Sequence, residues 1–476
     1  MLANIKKNNQ MKKLITIAIF IIFLIGNAFG QSNDKIKLYS ANELRDDVDS
    51  LTKYIEEVHP NAFFKFPKDK FYKKTDSIKS IIDKPMSDFD FYFLVSPLVA
   101  KLEDGHTSIQ PPVKEYFSTN PVIFPYLLKL SAKEPYLVFD REIAKTMKSK
   151  IPHNALIISI NDIASNQIIN DLANLSSGES KSFRLARIND VFFFYLYGLY
   201  GEKSNYTIKY KLNNITETEN ISCIHLDSLM KMKKRDTSIS KENKPKDYSL
   251  SINKENKTAI IDFESFNDVK IFKIFIDSAF QQIKENKTEN LIIDIRNNGG
   301  GNSIIGDEFF QYISHENFMQ VAKSKTKNSR LMKEFYKMMF AKTQDSLLLY
   351  RLNNPDGLGE FQSDSLIKLR ENPLRFSGTI YLLTSTNTFS SAAFFAQCFK
   401  YYKMGQIIGE ETGGWMVHYG DLVFAKLPNS KLTLSISHTL WYEIGAKEND
   451  FHGTIPDINV PSEKALDYTL ELIKNQ

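Results

Sequence analysis

The chain has 476 residues, 42% hydrophobic and 25% charged, with 61 Lys and Arg against 56 Asp and Glu for a formal charge of +5. That length and apolar content support two or three ordinary cores, and two cysteines are too few for a disulfide scaffold. Lys6, Lys7, Lys12 and Lys13 lie in the first 30 residues, which hold no acid, so the rest carries only +1 and gives no basis for a nucleic-acid partner.

Those lysines precede the apolar run LITIAIFIIFLIG and the small-residue exit NAFG, with Ala28 and Gly30. The pattern is that of a signal peptide over residues 1–30, leaving a periplasmic or secreted protein that meets the membrane only during export. An uncleaved anchor is the alternative, because Leu14 to Gly30 is almost long enough to span. No cysteine follows the run, which argues against a lipid anchor.

Residues 31–115 read as an N-terminal helical region: ANELRDDVDSLTKYIEEVHP closes at Pro60, and Ser87 with Asp90 three residues on marks another helix start. Residues 116–225 form a middle domain with strand-like runs NALIISINDI and NYTIKYKL, and the lysine-rich 226–256 reads as a linker. From 257 to 476 the pattern alternates. TAIIDFESF, NLIIDIRNN, GTIYLLTS and GQIIGEET read as strands, VKIFKIFIDSAFQQIKE and SSAAFFAQCFKYY as helices, which predicts an α/β fold with a mostly parallel sheet. Residues 305–375 interrupt it with helically spaced Phe, Met and Tyr, either a cap over a site or a structural excursion. Cys398, eight residues after Ser390 on a buried helix face, reads as a free packed thiol.

Three short motifs carry chemistry. Ser390 follows the strand YLLTS and opens a helix, where a hydroxyl can project into a cleft and the amide of Ser391 lacks an intrahelical partner; helix capping is the competing reading. IDIRNNGGG ends a strand in Gly299, Gly300 and Gly301, whose backbone can approach a reacting carbonyl and donate to a forming oxyanion. The run lacks both the Walker Lys-Ser/Thr signature and the dinucleotide glycine spacing. His106, in the turn LEDGHTSI, can take a serine's proton near neutral pH. None of the eight histidines sits in an HExxH-type spacing, so no metal or other cofactor is expected.

With GEETGG and HGTIPDINV, these segments resemble the C-terminal processing (tail-specific) serine peptidase family over residues 258–465 apart from the insertion, and the resemblance extends to the helices leading into DGHT. It implies an exported serine endopeptidase with a crotonase-like α/β core and a protein or peptide substrate. Ser390 would be the nucleophile, with Ser391 and Gly300 or Gly301 as oxyanion donors. Many members place a lysine base after the GE-x-T-x-G turn, but Trp415 stands there and the next lysine is Lys426. The tricorn-like branch uses a histidine from the DGHT segment, which implies His106 as base, with Asp450 as orienting carboxylate and Glu448 in reserve. IPHNALIISINDIASNQIINDLANLSSGES resembles the second half of a PDZ domain, degenerate because no glycine-rich carboxylate loop precedes it. The rival reading is a catalytically inactive protein of the same fold that binds peptide or an apolar ligand.

Overall fold

The structure, a computed structural model, describes residues 36–236, 247–344, 346–363 and 365–476, so the expected signal peptide lies outside it. The chain forms two compact units. The first gathers the described residues up to Glu56, those from Asn61 to Pro245, and Phe424–Ile436; the second holds Glu57–Pro60, Lys246–Val423 and Ser437–Gln476. The helical region and the middle domain expected separately fall in one unit.

In the first unit three helices, α1 (Ala41–Val58), α2 (Lys68–Ile81) and α3 (Asp88–Ala100), precede the two-residue strand β1 (Ser108–Ile109). The Ser87 hydroxyl caps α3 by accepting the Asp90 amide at 3.0 Å, as its spacing from Asp90 predicts. β1 pairs antiparallel with Leu434 and Ser435. After α4 (Val113–Ser118) and β2 (Val122–Ile123) comes an antiparallel sheet of β3 (Tyr126–Leu130), β4 (Leu137–Glu142), β5 (Leu156–Ile160), β6 (Ile163–Ala164), β7 (Asn205–Leu212) and β8 (Ile215–Ser222). Between β6 and β7 run α5 (Ser165–Ala173), α6 (Lys181–Ile188) and α7 (Phe192–Tyr200). The aromatic face of α7 packs on α3 and α4: Phe194 lies edge-on to Phe89 and Tyr116, and a side chain at Gly198 would occupy the Phe93 ring. β9 (Ile224–His225) ends the middle domain, and the stretch read as a linker instead opens with α8 (Leu226–Asp236) and later carries a strand of the next sheet. Its lysines masked the helical spacing of Leu226 and Leu229, both buried.

The second unit is built on a six-stranded sheet of β10 (Tyr248–Asn253), β11 (Thr258–Phe263), β12 (Asn290–Asp294), then β15, β16 and β19. Helix α9 (Val269–Glu285), capped by Asp268, joins β11 to β12. The insertion is mixed rather than helical: α10 (Ile304–Ile313), β13 (Val321–Asn328), α11 (Arg330–Thr343), α12 (Ser346–Asn353) and β14 (Gly357–Gln362). VAKSKTKN has few apolar residues to betray a strand, yet β13 pairs antiparallel with β14. The chain returns as β15 (Thr379–Thr384), α13 (Ser391–Tyr401), β16 (Gln406–Gly409), β17 (Val417–Lys426), β18 (Thr433–Glu443), β19 (Ile458–Asn459) and α14 (Ser462–Lys474). β10 is antiparallel to β11, and every other neighbour in the six-stranded sheet is parallel. Phe263, Phe266, Phe272, Phe309, Phe310 and Phe395 form its core, with Phe310 and Phe395 stacked 4.5 Å apart. Offset pairs of this kind add about 0.5–1.5 kcal/mol beyond burial. Cys398 is buried in the same core and is free, as expected, and Cys223 is free as well.

Candidate active site

β12 and β15 are parallel neighbours, so the loops leaving their carboxyl ends emerge side by side. One is the glycine run, the other the turn into Ser390. The two are laced together: the Thr388 hydroxyl donates to Ile295 O at 3.0 Å, and the Phe389 amide to Asn298 O at 3.1 Å. Ser390 is half-buried and is forced to φ 55°, ψ −128° at the start of α13. A non-glycine residue gains nothing local from that conformation, which persists where the surroundings fix it and where a side chain must be presented from a strand-to-helix turn. The Ser390 side chain does not cap α13. The neighbouring Ser391 hydroxyl is committed, donating to Gly301 O at 2.6 Å.

The glycine turn lies against that serine. A Cβ on Gly300, which sits at φ +95°, would lie 2.7 Å from Phe389 O and 2.8 Å from both the Ser390 Cβ and the Ser391 nitrogen. Only glycine allows this approach. Gly301, at φ +140°, is equally confined, by the Phe266 backbone. Fully buried Asn298 braces the turn, its amide donating to Phe263 O at 2.9 Å while its Oδ1 accepts the Gly300 amide at 2.9 Å. The Gly300 N–H is thus engaged by a side chain. The Ser391 N–H lies in the first turn of α13, where amides have no intrahelical acceptor and the helix dipole favours negative charge.

His106 belongs to the first unit, in the turn between α3 and β1, and is 8% exposed. The Asp104 Oδ1 accepts the His106 amide at 2.9 Å, closing the turn, and the Ser435 hydroxyl donates to His106 O at 2.9 Å. Arg187 of α6 donates to Gly105 O. An imidazole nitrogen of His106 and one carboxylate oxygen each from Asp104 and Glu179 all lie within 4.8 Å of one another, and all three residues are buried. Burial, aided by Asp104, pushes the Glu179 carboxyl up to about 8, with Arg187 opposing.

Residues 257–460 match the family model described as Peptidase family S41. This stretch is an S41 peptidase domain. The chain is accordingly a serine-type peptidase. Among solved structures the chain is similar to mature CPAF, with 12% identity, 92% of this chain and 98% of that one covered, and a TM-score of 0.59. Mature CPAF complexed with lactacystin gives 13% identity, 92% and 99% coverage and a TM-score of 0.59. The photosystem II D1 C-terminal processing protease gives 12% identity, 88% and 93% coverage and a TM-score of 0.42. At these identities the first two likenesses show the fold. No curated protein matches the chain.

Within the S41 domain, the GEETGG turn is packed on the serine: a Cβ on Gly414 would meet Ala393 Cβ at 2.8 Å and the Ser390 nitrogen at 3.1 Å. Trp415 therefore follows directly on a residue touching the serine turn. Its carbonyl accepts from His418 Nδ1 at 2.6 Å, and its ring lies 5.9 Å from that of Phe451. The HGTIPD segment braces the same turn, with the Gly453 amide donating to Glu411 Oε1 and the Thr454 amide to Thr412 Oγ1, both at 2.8 Å. Asp450 is occupied locally: its Oδ2 accepts the Lys447 amide at 2.7 Å. Glu448 is exposed, bonded to Lys323 and to the Tyr442 hydroxyl, and these partners hold its carboxyl below the usual range. Two residues of consequence escaped the sequence reading. Asn298 was readable only as part of a strand end, and Glu179 sits in a polar turn 73 residues beyond His106 with nothing local to mark it.

Proposed function

We propose that the chain is an exported endopeptidase that hydrolyses peptide bonds of proteins or peptides through an acyl-enzyme. Ser390 is the nucleophile and His106 the general base that takes its proton and returns it to the leaving amine. The Ser391 amide, with that of Gly301, stabilises the tetrahedral oxyanion; Gly300, the other expected donor, has its amide bonded to Asn298 Oδ1. The observation that carries this reading is the Ser390 turn itself, a serine held at φ 55° at a helix start with the glycine run pressed against it. A helix needing only a cap has no use for that strain. Removal of residues 1–30 would deliver the mature chain to the periplasm or beyond, and the sheet of β3 to β8 is a candidate PDZ-like module for part of the substrate chain.

Trp415 favours a second reading, since it cannot accept a proton where many relatives hold a lysine: a protein that binds peptide without cleaving it. A fluorophosphonate probe separates the two. Stoichiometric labelling of Ser390, mapped by mass spectrometry and abolished in Ser390→Ala and His106→Ala variants of unchanged thermal stability, is the expected result. Well-folded protein that leaves Ser390 unlabelled would sink the catalytic reading.

A further inference from the structure

We propose that Glu179 is the positioning carboxylate of His106, holding the imidazole in place and stabilising its protonated form during acyl transfer. This rests on the assignment of His106 as the general base.

The observations come from the first unit alone. Glu179 is 7% exposed and neither carboxylate oxygen has a hydrogen-bond partner among the described residues. The amides of Gly105 and of Glu179 itself come near without reaching bonding geometry. A buried carboxylate without partners costs several kcal/mol unless an opposite charge or a proton compensates it. What it faces is the His106 ring and the Asp104 carboxylate, each presenting an atom within 4.8 Å. Asp104 has another task, since its Oδ1 accepts the His106 backbone amide and sets the turn. That leaves Glu179 as the carboxylate whose oxygens are uncommitted. Asp450, by contrast, is tied to the Lys447 amide.

The charged and titratable groups around the ring are Asp104 on its own turn, Glu179, and Arg187 on α6, with the Arg184–Glu103 pair 3.8 Å apart. A divalent cation is the competing occupant of the three side chains that meet within 4.8 Å.

The test compares wild type with Glu179→Gln and Glu179→Asp in the mature full-length chain. It follows the fluorophosphonate labelling rate of Ser390 against pH and the ¹⁵N resonances of the His106 imidazole. Glu179→Gln removes the charge with little change of shape. Labelling is expected to slow by roughly 10²–10⁴-fold, the range of comparable triad carboxylates, and the imidazole to titrate at lower pH. Glu179→Asp should recover part of both. Wild-type labelling and an unmoved imidazole in Glu179→Gln would overturn the proposal. So would stoichiometric zinc or manganese, detected by elemental analysis and lost with Glu179, since the cluster would then be a metal site. If the wild type itself fails to label, the Ser390 assignment falls, while the imidazole titration still decides the role of Glu179.

Discussion

Replacing Gly300 by alanine should injure the serine turn from across the loop. The added methyl would stand 2.8 Å from Ser390 Cβ and from the Ser391 nitrogen, where ordinary contact begins at 3.4 Å, so the two turns must part by about 0.6 Å. Both neighbours belong to a backbone bonded to Ile295 and Asn298, and no flexible side chain can swing aside. An L-residue at φ +95° adds about 1–3 kcal/mol of backbone strain. Overpacking a closed contact adds another ~1–3 kcal/mol, together a sizeable part of a typical stability of about 5–15 kcal/mol. Because a displacement of about 1 Å near reacting atoms can cost ~10²-fold, labelling of Ser390 should slow by about ten- to a hundredfold in molecules that remain folded. Gly299→Ala, which meets no atom within 4 Å, should cost far less stability. Urea unfolding with the probe assay measures both quantities. A Gly300→Ala protein with wild-type midpoint and labelling rate would refute the account of the paired turns.

Asn298→Ala strands the buried Phe263 carbonyl and the half-buried Gly300 amide, and should lower stability by about 2–6 kcal/mol in urea titrations at ~1–3 kcal/mol per orphaned group. Glu179, held near 8 by burial and Asp104, keeps in the folded state a proton that the unfolded chain releases in the ordinary carboxylate range. Its contribution to stability is present below that range and is lost as pH rises towards about 8. Wild-type midpoints should therefore fall over that window, and Glu179→Gln should flatten the fall; identical slopes would refute it. Burial raises Cys223 to about 11 and Cys398 well above its ordinary value. Iodoacetamide at pH 8 should modify Cys223 slowly and Cys398 only after unfolding, as peptide mass mapping would show.

The S41 domain was largely legible because its strands are buried on both faces and read as unbroken apolar runs: LIID in β12 and TIYLLT in β15 announce themselves. The glycine run and the serine were legible for a chemical reason, since few sequences put three glycines at a strand end except to bring backbone close to something. β13 was not legible, because its residues are half-exposed and alternate lysine with small side chains. Asp450 is expected from its place before GTIPD, and sequence position does not show the turn amide bonded to one of its oxygens. Glu179 was not legible: a carboxylate in LSSGESKS looks solvated until the fold buries it beside Asp104.

The first unit contains a piece of chain that arrives late. Its residues run to Pro245 and resume at Phe424–Ile436, so 178 residues (423 − 245) separate its last two instalments. That final segment supplies the Ser435 hydroxyl to the His106 carbonyl and the Asn429 and Ser430 amides to the Asp47 carboxylate. On a ribosome moving at about 5–20 residues per second, the loop bearing His106 waits roughly 16–66 s for Ser435, 329 residues further on. The nascent chain therefore carries its proposed base in an unfinished setting until the nucleophile has been made.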